Sequence, residues 1–116
     1  MALTYQIHDS ADPILISLSG KLSLGPQLAR FSKDAAKAVQ TQRPKGVILE
    51  LSAIEEVDSS GLGELVLLYT CCDQVEARLC ILTPSDRVSR VIAATRLSGI
   101  LPQFDDAASA TAWVFS

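Results

Sequence analysis

Residues 46–76 read GVILELSAIEEVDSSGLGELVLLYTCCDQVE, and this stretch decides the fold. It opens on Val47-Ile48-Leu49, a short apolar run of the kind a buried strand needs. It closes on a second apolar run, Leu62 to Cys72, longer than most strands and free of proline. Between them stand Asp58-Ser59-Ser60-Gly61-Leu62-Gly63. Asp and Ser are favoured at helix starts because their side-chain oxygens accept the first unpaired N–H groups. The stretch therefore predicts a strand, a turn and a helix beginning near Ser59 or Ser60. One or both serine hydroxyls would lie at the solvent-facing mouth of the helix N-terminus, where a phosphate is electrostatically tolerated. On the residues alone, Ser59 and Ser60 are an N-cap and its neighbour, and Gly61 and Gly63 permit close packing of helix on strand.

Further along that helix, 3.6 residues per turn puts Leu62, Leu65, Val66, Tyr69 and Cys72 on the face turned to a sheet. Ser60, Glu64, Leu67, Cys71 and Gln74 fall on roughly the opposite face. Leu67 is the apolar member there, in line with Ser60 and two turns beyond it, and is a candidate partner contact.

Upstream, Thr4–His8 (TYQIH) and Pro13–Ser19 (PILISLS) alternate with period 2 around the turn cluster Asp9–Asp12, which reads as a hairpin ended by Gly20. A loop from Lys21 to Gly25 leads to Pro26, a residue suited to the first helical position. From Gln27 to Gln42, Leu28, Phe31, Ala35, Ala38 and Val39 recur at helical spacing, and Pro44 stops the helix. Downstream, Ala77–Leu82 reads as another buried strand. Thr83-Pro84-Ser85-Asp86 predicts an N-cap at Thr83 and a helix over 85–95 that buries Val88, Val91 and Ile92 and ends at Gly99. Residues 100–104 are expected to form at most a short edge strand, since Pro102 would be awkward in a central one. Asp105 caps a last helix over 106–114, with Trp113 packed at its end. The order β-β-α-β-α-β-α-(β)-α gives an α/β fold. Its mixed sheet has an opening antiparallel hairpin and parallel crossovers, packed against about four helices.

A chain of 116 residues fits one domain, 1–116, with one core. A hydrophobic fraction of 48% against 20% charged argues against disorder. The longest uncharged part of the central helix, Leu65 to Cys72, is far too short to span a bilayer, so no direct membrane insertion is expected. No basic segment followed by an apolar core resembles a signal peptide. Cys71, Cys72 and Cys80 are odd in number and lack C-x-x-C spacing, so neither a disulfide framework nor a zinc site is expected. A reducing cytoplasm is the expected location. Between Gly46 and Ala77 there are seven carboxylates and no Lys or Arg, within a chain of net charge −3. Nucleic acid, which needs the opposite sign, is not an expected partner of that segment; a basic protein surface fits it better, although on charge alone the segment reads as a solvated acidic face.

Catalytic constellations are missing. There is no phosphate-cradling G-x-x-x-x-G-K-[ST], no third glycine to extend Gly61-Leu62-Gly63 into a dinucleotide fingerprint, and no G-x-S-x-G elbow. His8 is the only histidine, and Glu55-Glu56 read as adjacent carboxylates of a solvent-facing loop. No enzyme, metal or cofactor is expected.

Val57-Asp58-Ser59-Ser60-Gly61-Leu62-Gly63-Glu64-Leu65 resembles the phosphorylation-site signature of STAS domains, the anti-sigma factor antagonist family, and the resemblance in element order covers nearly all of the chain. It implies that Ser60, the second serine of D-S-S-G, is phosphorylated by a cognate anti-sigma factor that is itself a serine kinase using ATP and magnesium. The unphosphorylated antagonist would sequester that kinase and release the sigma factor, and a serine phosphatase would reset it. The partner surface so implied comprises Asp58, Ser59, Gly61, Leu62, Gly63, Glu64, Leu67 and, from the preceding loop, Leu24. Residues 20–25 (GKLSLG) lack the Asp and Thr/Asn that antagonists often carry there. A second implication of the resemblance is a STAS subunit of a larger assembly, either a stressosome-like scaffold or a membrane lipid-transport complex. The intact D-S-S-G-L-G favours the antagonist.

Overall fold

The computed structural model describes all 116 residues. Nine elements follow in chain order: β1 (Thr4–His8), β2 (Ile14–Leu22), α1 (Pro26–Gln42), β3 (Gly46–Val57), α2 (Ser59–Gln74), β4 (Arg78–Leu82), α3 (Asp86–Ala94), β5 (Gln103–Phe104) and α4 (Ala107–Val114). The strands form one sheet in the order β1-β2-β3-β4-β5. β1 and β2 are antiparallel, and every later pair is parallel, as crossover helices require. Alternation along β3 and β4 splits the core in two. Val47, Leu49, Leu51 and Ile81 face α1, α2 and α3, while Ile48, Cys80 and Leu82 face Ala110 and Val114 of α4. All five apolar positions expected of α1 are buried.

Several boundaries differ from the sequence reading, each for an identifiable reason. Gly20 does not end the second strand. It adopts φ 92°, and the chain continues to Leu22 through two register shifts, so that Ser19, Gly20, Lys21 and Leu22 pair with Ala53, Ile54, Glu56 and Val57. Only glycine suits that backbone, and a Cβ there would also strike the Ala2 carbonyl. β3 accordingly runs twelve residues instead of a short apolar run. Its last half escapes a period-2 reading because bulges break the alternation. Glu55 and Glu56 therefore lie on a strand, not in a loop.

Thr83 does not cap α3; Ser85 does, accepting the Val88 N–H. Thr83 takes a left-handed φ of 44° and donates its hydroxyl to Glu50 on β3. α3 closes at Ala94, with Arg96 at φ 60°, before Gly99 is reached, and Val91 is only half-buried. The cap of α4 is Asp106, one residue later than expected. β5 keeps only Gln103 and Phe104, beyond Pro102. Trp113 packs near Phe104 with ring centroids 5.7 Å apart, and the Arg78 guanidinium lies 5.1 Å from its ring.

Candidate docking site at the start of α2

The first turn of α2 is built on the ends of β2 and β3. β3 delivers Asp58 in an extended conformation as the N-cap. Its backbone N–H donates to the Leu22 carbonyl at 3.2 Å, and its own carbonyl accepts the first helical bond, from Leu62 N at 3.0 Å. The carboxylate does two things at once. Oδ1 accepts the Gly61 N–H at 2.8 Å, and Oδ2 accepts the Leu24 N–H at 3.0 Å across 34 residues of sequence. One side chain thus caps the helix and fixes the β2–α1 loop beside it. The Leu24 and Gly61 N–H bonds hold its carboxyl below the usual carboxylate value of 3.8.

Gly61 is buried against β2, and a Cβ there would overlap the Leu22 carbonyl. Only the absence of a side chain lets α2 begin this close to the sheet. Gly63 has no such role, since a Cβ there would meet nothing within 4 Å. The expectation that both glycines serve close packing therefore holds for Gly61 alone. The expectation that a serine caps the helix gives way to Asp58, with both serines inside the first turn.

Ser59 is exposed and Ser60 half-buried. Glu64 Oε2 is the one side-chain polar atom that is both buried and unpartnered. The Ser60 hydroxyl makes no hydrogen bond within the chain and is not among the buried unpartnered atoms, so it is open to solvent. Around it, Leu24 is 80% exposed and Leu67 55% exposed. At 1.5 Å per residue, Leu67 stands about 10 Å along the helix from Ser60. Leu62 is half-buried and leans on the core instead of standing open. The face expected to pack on the sheet is rotated: Leu65, Leu68 and Cys72 are buried, while Leu62, Val66 and Tyr69 are half-buried. α2 packs on α1 as well as on the sheet, and Leu68 joins Phe31 and Ala35 around a slot of about 20 Å³ between the two helices.

The acidic segment does not make one face. Glu50 is half-buried and occupied by Thr83 and the Ser52 N–H, and Asp73 and Glu76 lie at the far end of α2 from Asp58. Glu56 lies 3.7 Å from Lys21 and 3.9 Å from Arg87, all three side chains substantially exposed and so weakly coupled. This cluster, like the 68%-exposed Met1 that lines a surface hollow with Leu24, was not visible in the sequence, because its members are close only in the fold.

Burial pushes the Cys72 thiol up to about 12 and the Cys80 thiol up to about 11, which leaves neither as a thiolate nucleophile. No three or more His, Cys, Asp or Glu side chains converge to hold a metal ion, and no helix is long and apolar enough to cross a membrane.

A mixed five-stranded sheet opened by a hairpin and packed with four helices is the fold found in the solved STAS neighbours. The chain belongs to the STAS domain family, whose model matches residues 3–110. It is similar to an anti-sigma F factor antagonist of Paenibacillus polymyxa, 24% identical over 111 residues that make up 95% of this chain and 93% of the relative. A crystal structure of an anti-sigma factor antagonist from Mycobacterium paratuberculosis shares the fold with a TM-score of 0.79 at 23% identity, over 99% of this chain and 96% of that one. The antagonist SpoIIAA in its unphosphorylated form gives 0.79 at 19% identity, over 91% and 92% of the two chains. Bacillus SpoIIAA in its phosphorylated form gives 0.71 at 18% identity, over 91% and 96%.

Proposed function

We propose that this chain is a cytoplasmic anti-sigma factor antagonist, a binding protein whose docking surface around Ser60 is switched by phosphorylation. The partner is an anti-sigma factor acting as a serine kinase. Bound through Leu24, the first turn of α2 and Leu67, it is sequestered and releases its sigma factor. The Ser60 hydroxyl then attacks the γ-phosphoryl of ATP·Mg²⁺ held by the kinase, ADP leaves, and the hydroxyl proton passes to a base of the kinase. A serine phosphatase restores the hydroxyl.

The observation that carries this reading is the two-handed Asp58 carboxylate. It makes the exposed Leu24 and the turn bearing Ser60 one preorganised surface, so a partner gripping both need not pay to order the loop. A phosphoryl group on Ser60 adds about −1.5 to −2 charges near neutral pH. At a helix start that charge is favoured by ~0.3–1 kcal/mol, so the fold should persist. Asp58, two residues before Ser60, and Glu64, one turn after it, already set the local sign to negative. Dissociation then arises at the interface from bulk, desolvation and repulsion, where ~1.4 kcal/mol is a tenfold loss. A solved relative exists in both unphosphorylated and phosphorylated forms.

Titration calorimetry with the cognate anti-sigma factor tests the reading. Ser60→Ala should bind as tightly as the unmodified chain and resist release by ATP. Ser60→Asp should bind at least about tenfold more weakly with an unchanged melting temperature. A Ser60→Asp chain that unfolds, or that binds at full strength, overturns it.

A further inference from the structure

The two edges of the sheet are guarded very differently. β5 is two residues long, follows Pro102 and packs against α4, so little of it can pair with another strand. β1 offers five residues in unbroken register with β2, and its outer edge is uncovered. The usual protections are missing from it: TYQIH contains no Lys, no Pro and no bulge. Beside it lies an open cleft of about 400 Å³ between β1 and α1, lined by Tyr5, Ile7, Asp9, Asp34, Lys37 and their neighbours.

That edge is complementary to itself. Placed antiparallel about a two-fold axis at Gln6, it sets Gln6 against its own copy, Thr4 against His8, and Tyr5 against Ile7. Both faces then agree. The polar residues Thr4, Gln6 and His8 stay on the open face, and Tyr5 and Ile7, already half-buried toward α1, form two aromatic–β-branched cross-strand pairs. No like charges are opposed. A slip of two residues would leave two residues of each copy unpaired, so the centred register makes the most pairs. The cleft carries both signs, Asp9 and Asp34 against Lys37, so a second copy of it is an electrostatically tolerable neighbour.

From this we infer that the chain forms a symmetric homodimer by antiparallel β1–β1 pairing, which makes one ten-stranded sheet from two copies. The interface adjoins the C-terminal half of α1, whereas Ser60 lies where β2 and β3 end and α2 begins. Dimerisation and docking therefore use separate surfaces, and the dimer presents two Ser60 sites.

Sedimentation velocity of the full chain over a range of concentrations tests this. The unmodified chain should show a monomer–dimer equilibrium. Gln6 is exposed, so Gln6→Lys should keep the melting temperature while raising the dimer dissociation constant about fivefold or more, because two like charges then face each other. Gln6→Glu should do the same, and an equimolar mixture of the two should recover dimers as heterodimers. Ser60→Asp should dimerise like the unmodified chain. A chain monomeric at all concentrations, a Gln6→Lys variant that dimerises normally, or a mixture no better than its parts overturns the proposal without touching the Ser60 reading.

Discussion

α2 and α4 begin alike and do different things. Each is capped by an aspartate whose Oδ1 accepts the N–H three residues on, Gly61 or Ser109, at 2.8 Å. In α4 the second oxygen is satisfied locally, by the Ser109 hydroxyl at 3.0 Å. In α2 it reaches the Leu24 N–H, in a different loop. The third helical residue differs to match: Ser109 supplies a second local bond, whereas Gly61 must supply nothing, because the Leu22 carbonyl occupies its side-chain space. An N-cap that only starts a helix finds the partners of both its oxygens within four residues. One that also assembles a surface spends its spare oxygen elsewhere.

Making the two turns alike should expose the difference, and the largest effect belongs to Gly61. Gly61→Ala forces a Cβ into a backbone carbonyl that cannot step aside, and should cost about 1–3 kcal/mol in urea unfolding. The capping aspartates come next. Asp58→Ala and Asp106→Ala should both lower the melting temperature, but only Asp58→Ala should speed hydrogen exchange at the Leu24 amide and weaken partner binding.

Acid should produce the same divergence. Both carboxyls are held below 3.8, Asp58 chiefly by the Leu24 N–H and Asp106 chiefly by the Ser109 N–H. Folded values lower than unfolded ones mean that each cap contributes fully above about 3.8 and is lost as pH falls through its folded value. In an NMR titration the Leu24 amide should shift with Asp58 alone. Smaller still, Gly63→Ala fills open space on a helix and should raise stability by ~0.5–1 kcal/mol. Ser109→Ala, losing only a surface hydroxyl bond, should change it by less than about 0.5 kcal/mol.

Much of this was legible because local and global preferences agree. The α1 stripe, the strand opening at Gly46 and the D-S-S-G helix start are written in residues close in sequence. Ser60 could be placed near the mouth of α2 because Asp, Ser and Gly leave few alternatives there. The rest depended on partners far along the chain. The continuation of β2 past Gly20 needs the Ala2 carbonyl and the tail of β3 to make sense of it. Thr83 is the cap the local sequence suggests, but Glu50, 33 residues away, takes its hydroxyl and Ser85 caps α3 instead. Leu68 belongs to neither face assigned to α2 from its sequence, and is buried because α1 packs against α2 there. Leu24 was named on resemblance alone; its tie to Asp58 spans 34 residues and has no local signature.

The most direct test is mass spectrometry of the peptide spanning residues 58–64 after incubation of the native chain with its cognate serine kinase and ATP·Mg²⁺, with size-exclusion chromatography of the same sample. A single phosphate on Ser60, accompanied by dissociation from the kinase, is the expected result. Phosphate on Ser59 instead, none on either serine, or a chain phosphorylated at Ser60 that stays bound would contradict the central claim.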